Sequence, residues 1–183
     1  MSARPRIFTI GHSTRSLDEL VALLRHHGIE QLADVRSYPG SRRLPHFGRA
    51  ALEAVLPAAG IAYRWMPGLG GRRRPRADSP NRGWRVDGFR AYADYMRTPE
   101  FAAARDELEA WARQVPTAFM CAEAWFRKCH RQLLADALVV RGWEVLHVTS
   151  EAPPEPHRLT GFAQPEADGQ LLYPADGELP LEP

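Results

Sequence analysis

Arg6-Ile7-Phe8-Thr9-Ile10-Gly11, followed one helix later by Leu32-Ala33-Asp34-Val35-Arg36, is the stretch that decides the fold. The first run is apolar and β-branched and stops at a glycine, the pattern of a strand that ends in a turn. Ser16 is a good N-cap for a helix, and Glu19 stands three residues later as its capping-box partner. Leu17, Leu20, Val21, Leu23 and Leu24 then trace one helical face, and Gly28 closes the helix at the C′ position. Strand, helix and strand within about thirty residues make a βαβ unit, which predicts a parallel pair joined by a right-handed crossover.

The same alternation continues outward. Leu52, Val55 and Leu56 predict a helix over residues 48–59, ended by Gly60, and Ile61-Ala62-Tyr63-Arg64-Trp65 reads as a third strand. A long Gly-, Pro- and Arg-rich stretch runs from Pro67 to about Val86. A loop of that length inside a compact domain is usually functional or mobile. Phe89, Tyr92, Ala93 and Met96 form one helical stripe, and Phe101, Leu108 and Trp111 form another. Thr117 to Cys121 reads as a fourth strand, His130 to Arg141 as a helix ended by Gly142, and Glu144 to Val148 as a fifth strand. The expectation is a three-layer, Rossmann-like α/β domain over residues 1–150, with a mainly parallel sheet of about five strands. Residues 151–183 are Pro-rich, which excludes a long helix. Asp168-Gly169, between Phe162-Ala163 and Leu171-Leu172-Tyr173, predicts a short hairpin in an extended arm.

A chain of 183 residues suits one hydrophobic core, and its 44% hydrophobic and 25% charged content is that of an ordinary globular protein. The formal charge of +2 does not by itself argue for nucleic acid. Its distribution is more telling: Arg72, Arg73, Arg74, Arg76, Arg82 and Arg85 stand close together, whereas the end of the chain leans acidic. The first residues hold no apolar leader core, and no run approaches the roughly 20 apolar residues of a membrane span. Cys121 and Cys129 are too few for a disulfide scaffold. Together these features predict a soluble cytoplasmic protein with no membrane partner.

In an open α/β sheet, ligands bind beyond the carboxyl ends of the strands. His12 and Ser13 come directly after the first strand. Asp34, Arg36, Ser41 and Arg42 come at and after the second, and Gly70-Gly71 and the Arg-rich loop after the third. Cys121 and Glu123 come with the fourth, and Cys129-His130-Arg131 opens a helix, where free N–H groups attract anions and lower a thiol pKa. Each part has a plainer reading: a capped turn at His12-Ser13, a structural ion pair between Asp34 and Arg36, a positive-φ turn at Gly70-Gly71, a solvated arginine loop. Four segments delivering reactive groups to one sheet edge weigh more than any single residue.

Three chemistries compete. Cys121, Cys129 and His130, with His12, supply metal-ligand types. Their spacing is not that of a common zinc module, and neighbouring Cys and His on a helix point apart, so no metal ligands are assigned. Cys121-x5-Arg127 matches a phosphatase loop in letters, but Glu123, Trp125 and Phe126 within it suit phosphate poorly. The third chemistry explains most residues. It is an enzyme acting on a nucleotide, nucleic acid or other phosphorylated ligand, with Arg36, Arg42 and Arg131 as anion holders aided by Ser13, Asp34, Ser41, Cys121 and His130. His12 and Glu123 are its candidate acid and base, and Cys129 its candidate nucleophile. No motif specifies a cofactor. The rival class is a non-enzymatic nucleic-acid-binding domain using Arg72 to Arg85 with Trp84 and Trp65 as a basic, stacking surface.

Taken in order, Thr9-Ile10-Gly11-His12-Ser13-Thr14, Asp34-Val35-Arg36-Ser37-Tyr38-Pro39-Gly40-Ser41-Arg42, Leu69-Gly70-Gly71, Met120-Cys121-Ala122-Glu123 and Cys129-His130-Arg131 resemble the domain-of-unknown-function 488 family. The stretch Phe89 to Phe101 and the tail His157 to Pro174 are similar to it too. The resemblance implies a single domain with the arm packed on it. It assigns no reaction and no catalytic roles, and Arg127 is not part of the signature.

Overall fold

The computed structural model describes residues 4–40 and 42–175. Its centre is a six-stranded sheet in the order β3-β2-β4-β1-β5-β6, built from β1 (Arg6–Gly11), β2 (Gln31–Asp34), β3 (Ala62–Trp65), β4 (Thr117–Cys121), β5 (Glu144–Val148) and β6 (Glu155–Pro156). The first five strands are parallel, and the two-residue β6 pairs antiparallel with β5. Helices α1 (Leu17–His26) and α2 (Arg49–Ala58) cover one face, packing on Phe8, Ile10, Leu32, Ala118 and Met120. On the other face, α3 (Asp87–Tyr95), α4 (Pro99–Ala112) and α5 (Arg131–Val140) pack on Ile7, Ala33, Phe119 and Val145. This is the three-layer, Rossmann-like α/β architecture that the alternation predicts. Among the described residues, no helix is long and apolar enough to cross a membrane.

One expectation needs correction. β1 and β2 are parallel members of one sheet, but they are not neighbours, because β4 lies between them. Burial explains the order. β4 is buried at all five positions and so needs a strand on each side, whereas β3 is half-exposed along its length and takes the edge. The capping box at α1 forms as predicted: the Ser16 hydroxyl accepts from the Glu19 N–H, and the Glu19 carboxylate accepts from the Ser16 N–H. Such a cap contributes about 1 kcal/mol. The hairpin around Asp168-Gly169 is present as β7 (Gln164–Pro165) and β8 (Leu171–Leu172), slightly displaced from the predicted strands.

The strand order has a consequence for function. With β4 at the centre, its carboxyl end lies beside those of β1 and β2. Beyond the sheet the ladder continues in loop form, with the His12 N–H donating to Cys121 O and the Ser13 N–H to Ala122 O, both at 2.9 Å. The loops after β1, β2 and β4 therefore meet at one edge.

Candidate functional site

Cys121 ends β4 on the face that carries α3, α4 and α5. The chain then passes through a 3-10 turn at Phe126–Lys128 and reaches Cys129 in extended backbone, φ −135° and ψ 150°, before His130 caps α5. Cys129 is thus not helical, and the divergence expected of neighbouring Cys and His on a helix does not arise. The His130 Nδ1 lies 3.6 Å from Cys129 Sγ and 3.9 Å from Cys121 Sγ. All three donor atoms lie within 4.8 Å of one another. The His130 Nε2–H donates to the Val35 carbonyl at 2.9 Å, which leaves Nδ1 as a lone pair facing both sulfurs.

Both cysteines are free and buried. A hydrogen bond from Cys121 pulls the Cys129 thiol down to about 6, with the Arg131 charge and backbone N–H acting in the same direction. The same hydrogen bond, with burial, pushes Cys121 up to about 12. The shared hydrogen bond thus pulls the two thiols in opposite directions.

This cluster floors a cleft of about 330 Å³. Gly71 lines one wall, with Gly70 just before it in the chain. Neither has the positive φ that their sequence suggests. They are glycines because of close approach: a Cβ on Gly71 would lie 2.5 Å from His130 Nδ1, and one on Gly70 would lie 2.4 Å from Ser37 Oγ. The rim is polar and exposed, formed by Arg72, Lys128 and Glu123. The Arg72 N–H donates to Ser37 Oγ, and its guanidinium lies 5.7 Å from the centre of the Tyr38 ring, itself 73% exposed. Tyr38 and Lys128 are site residues that sequence reasoning misses. One signal marks the lysine: Lys128, beside Cys129, is the only lysine in the chain.

The neighbouring polar cluster is buried and internally paired, although Arg36 also lines the cleft. Arg36 makes a two-pronged bond to Asp34 at 2.6 and 2.8 Å and donates to Phe47 O at 2.9 Å. Asp34 also accepts from the Tyr63 hydroxyl at 2.6 Å and is fully buried. Of the two readings open for this pair, the structural ion pair is the one observed. Burial alone would lower the Arg36 pKa, yet Asp34 raises it above the ordinary arginine value. His12 is held at both nitrogens. Its Nδ1–H donates to Ser13 O, and its Nε2 accepts from Arg36 at 3.3 Å. Its ring stacks on Phe47 at 4.1 Å, and burial lowers its pKa to about 4.

Arg131, expected as an anion clamp, is 1% exposed and faces inward. It donates to Glu123 O, Ala124 O and Thr9 Oγ1. A buried chain continues from there. With the Asp136 carboxylate as the terminal acceptor, Thr9 Oγ1–H donates to His147 Nδ1, His147 Nε2–H to His157 Nδ1, and His157 Nε2–H to Asp136. Asp136 also accepts from the Thr160 N–H and hydroxyl and from the Tyr173 hydroxyl. The Arg131 charge is thus linked to a carboxylate through three side chains rather than to a ligand. Gly11 permits the crossing, since a Cβ there would lie 1.8 Å from Glu123 O.

The other candidates fall elsewhere. Ser13 takes a left-handed φ of 52° at the start of its loop. Arg42 is exposed and does not line the cleft, and Ser41 lies outside the described residues. Arg127 pairs with Glu155, so it does not close a phosphate loop with Cys121. Trp84 packs against Phe89, Phe162 and Tyr173, and Trp65 donates to Arg36 O. Arg73 stacks over Tyr95 at 3.5 Å, and Arg76 pairs with Asp78.

Comparison with curated proteins and with solved structures found no match. One family model does match, over residues 16–138 of the 183, and it spans the second-strand motif, Gly70-Gly71 and all three floor residues. The chain belongs to the family described as Domain of unknown function DUF488.

Proposed function

We propose that this protein is an enzyme whose substrate is a nucleotide or another phosphorylated small molecule, bound in the cleft beyond β2 and β4. The observation that carries the reading is the make-up of the cleft: two exposed cations, Arg72 and Lys128, and one carboxylate, Glu123, ring a buried sulfur and imidazole floor. Its volume is at the lower end of small-ligand sites, which run from about 300 to 1,000 Å³. Arg72 and Lys128 take the phosphate, replacing Arg36, Arg42 and Arg131 in the role that the sequence alone suggests for them. The exposed Tyr38 ring offers a stacking face for a base or other planar group. Glu123 is the proton acceptor. Of the other two candidate catalytic residues, Cys129 lies on the floor, whereas His12 has both nitrogens engaged and serves to position Arg36, which borders the cleft.

Calorimetric titration with inorganic phosphate and with nucleoside monophosphates tests the reading. Arg72→Ala and Lys128→Ala should each weaken binding by about tenfold, the worth of a charge-assisted hydrogen bond. Absence of binding at low salt, or unchanged affinity in both variants, would overturn it. Oligonucleotide binding that weakens steeply with salt, with no nucleotide binding, would move the protein to the rival class.

A further inference from the structure

We infer that Cys121, Cys129 and His130 form a binding site for a transition-metal ion of the zinc type, with its fourth position open to the cleft. The inference deepens the proposed function, because the cleft is where the open position would meet a ligand. The spacing fits. Zinc–sulfur and zinc–nitrogen bonds of the usual lengths place neighbouring tetrahedral S and N ligands about 3.5 Å apart. The two S···N separations here are 3.6 and 3.9 Å.

The imidazole is prepared for the role. A ligating histidine almost always donates its other N–H to a carbonyl or carboxylate, which fixes the tautomer and aims the free nitrogen. His130 does so to Val35 O, a backbone atom at the end of the adjoining strand. The cysteines supply the soft sulfur donors that suit zinc, and the two come from different segments, one ending β4 and the other preceding α5. Three protein ligands on the floor of an open cleft match the count of a catalytic site rather than that of a closed structural one. The wall adds a further sign. Any side chain at position 71 would press on Nδ1, and glycine lets the wall pass without doing so. Coordination takes both sulfurs as thiolates, so binding releases to solvent the thiol protons still present.

The full chain, treated with chelator and kept reduced, is titrated with cobalt(II) as a spectroscopic stand-in for zinc, with no organic ligand present. The expected result is saturation at one ion per chain, with sulfur-to-metal charge-transfer bands and the intense visible bands of a tetrahedral ion. Cys121→Ser, Cys129→Ser and His130→Gln should each weaken binding by at least ~tenfold, the lower end of what even outer-shell changes cost. Because these buried variants can fail to fold, a second readout uses the native chain: zinc should block the reaction of both thiols with a thiol-specific reagent. Weak, non-saturating binding, or thiols that react equally fast with and without zinc, would overturn the inference. So would oxidation of Cys121 and Cys129 to a disulfide that proceeds equally fast with zinc present. Phosphate titration of the metal-free protein separates the two proposals. Binding that depends on Arg72 but occurs without cobalt sites would leave the cleft reading standing alone, and cobalt sites without phosphate binding would leave the metal site alone.

Discussion

Two polar clusters lie side by side at the same sheet edge, and they are built on opposite terms. In the Asp34–Arg36–His12 cluster nearly every donor finds an acceptor inside the protein, and the groups are buried even though Arg36 borders the cleft. In the Cys121–Cys129–His130 cluster one imidazole nitrogen is tied to the backbone while the other meets only the two sulfurs, and three metal-ligand atoms face one another under an open cleft. Residue type does not distinguish the clusters, since both contain the residues of active sites. What separates them is where the lone pairs and N–H groups are spent. A buried polar group that is fully paired maintains architecture, and one with unspent capacity is available to a ligand.

The largest effect expected from breaking the closed cluster is in Arg36→Ala. It leaves the Asp34 carboxylate buried without its cation, which costs about 3–5 kcal/mol, readable in chemical denaturation. Next comes acid. The folded chain holds His12 neutral to about pH 4, whereas the unfolded chain takes a proton near 6.5. The His12 contribution to stability should therefore be constant above pH 6.5 and be lost as pH falls toward 4, by about 3 kcal/mol. His147, which burial also drives far down, steepens the same loss. Denaturation midpoints measured from pH 8 to pH 4 check the sign, and a rise on acidification would contradict it.

A smaller effect is expected at the end of the Arg131 chain. Tyr173→Phe removes one of the donors to Asp136, a hydrogen bond to a charged group worth about 1.5–3 kcal/mol. The smallest is expected on the open rim. Arg72→Ala should leave stability within about 0.5 kcal/mol, as most exposed substitutions do, while weakening phosphate binding.

The contrast between the clusters also marks what the sequence could tell. The strands ending at Gly11 and Cys121 were legible because each apolar run stops at a turn, and the second was legible too, although it spans Gln31–Asp34 rather than the predicted Leu32–Arg36. Their order was not, because buried parallel strands read alike, and nothing in Thr117–Cys121 announces that it lies between β1 and β2. The two-residue β6 leaves no pattern to find. At the site, the grouping of Cys121, Glu123, Cys129 and His130 was legible from their place beyond strands. Which arginines stay exposed was not. Arg36 and Arg131 look from sequence like Arg72, and only the partners brought by Asp34, Thr9 and the Glu123 backbone bury them while Arg72 stays at the rim. Cys129 looked helical because the turn at Phe126–Lys128 that resets its backbone has no sequence signature.

The most direct test of the division between closed and open clusters measures melting temperature and phosphate affinity together for Asp34→Asn and Arg72→Ala. Asp34→Asn should lower the melting temperature by about 10 °C while the protein, kept cold and folded, still binds phosphate. Arg72→Ala should melt like the parent and lose affinity. The reverse pattern, an Asp34→Asn that melts normally but no longer binds together with an Arg72→Ala that binds normally, would contradict the account.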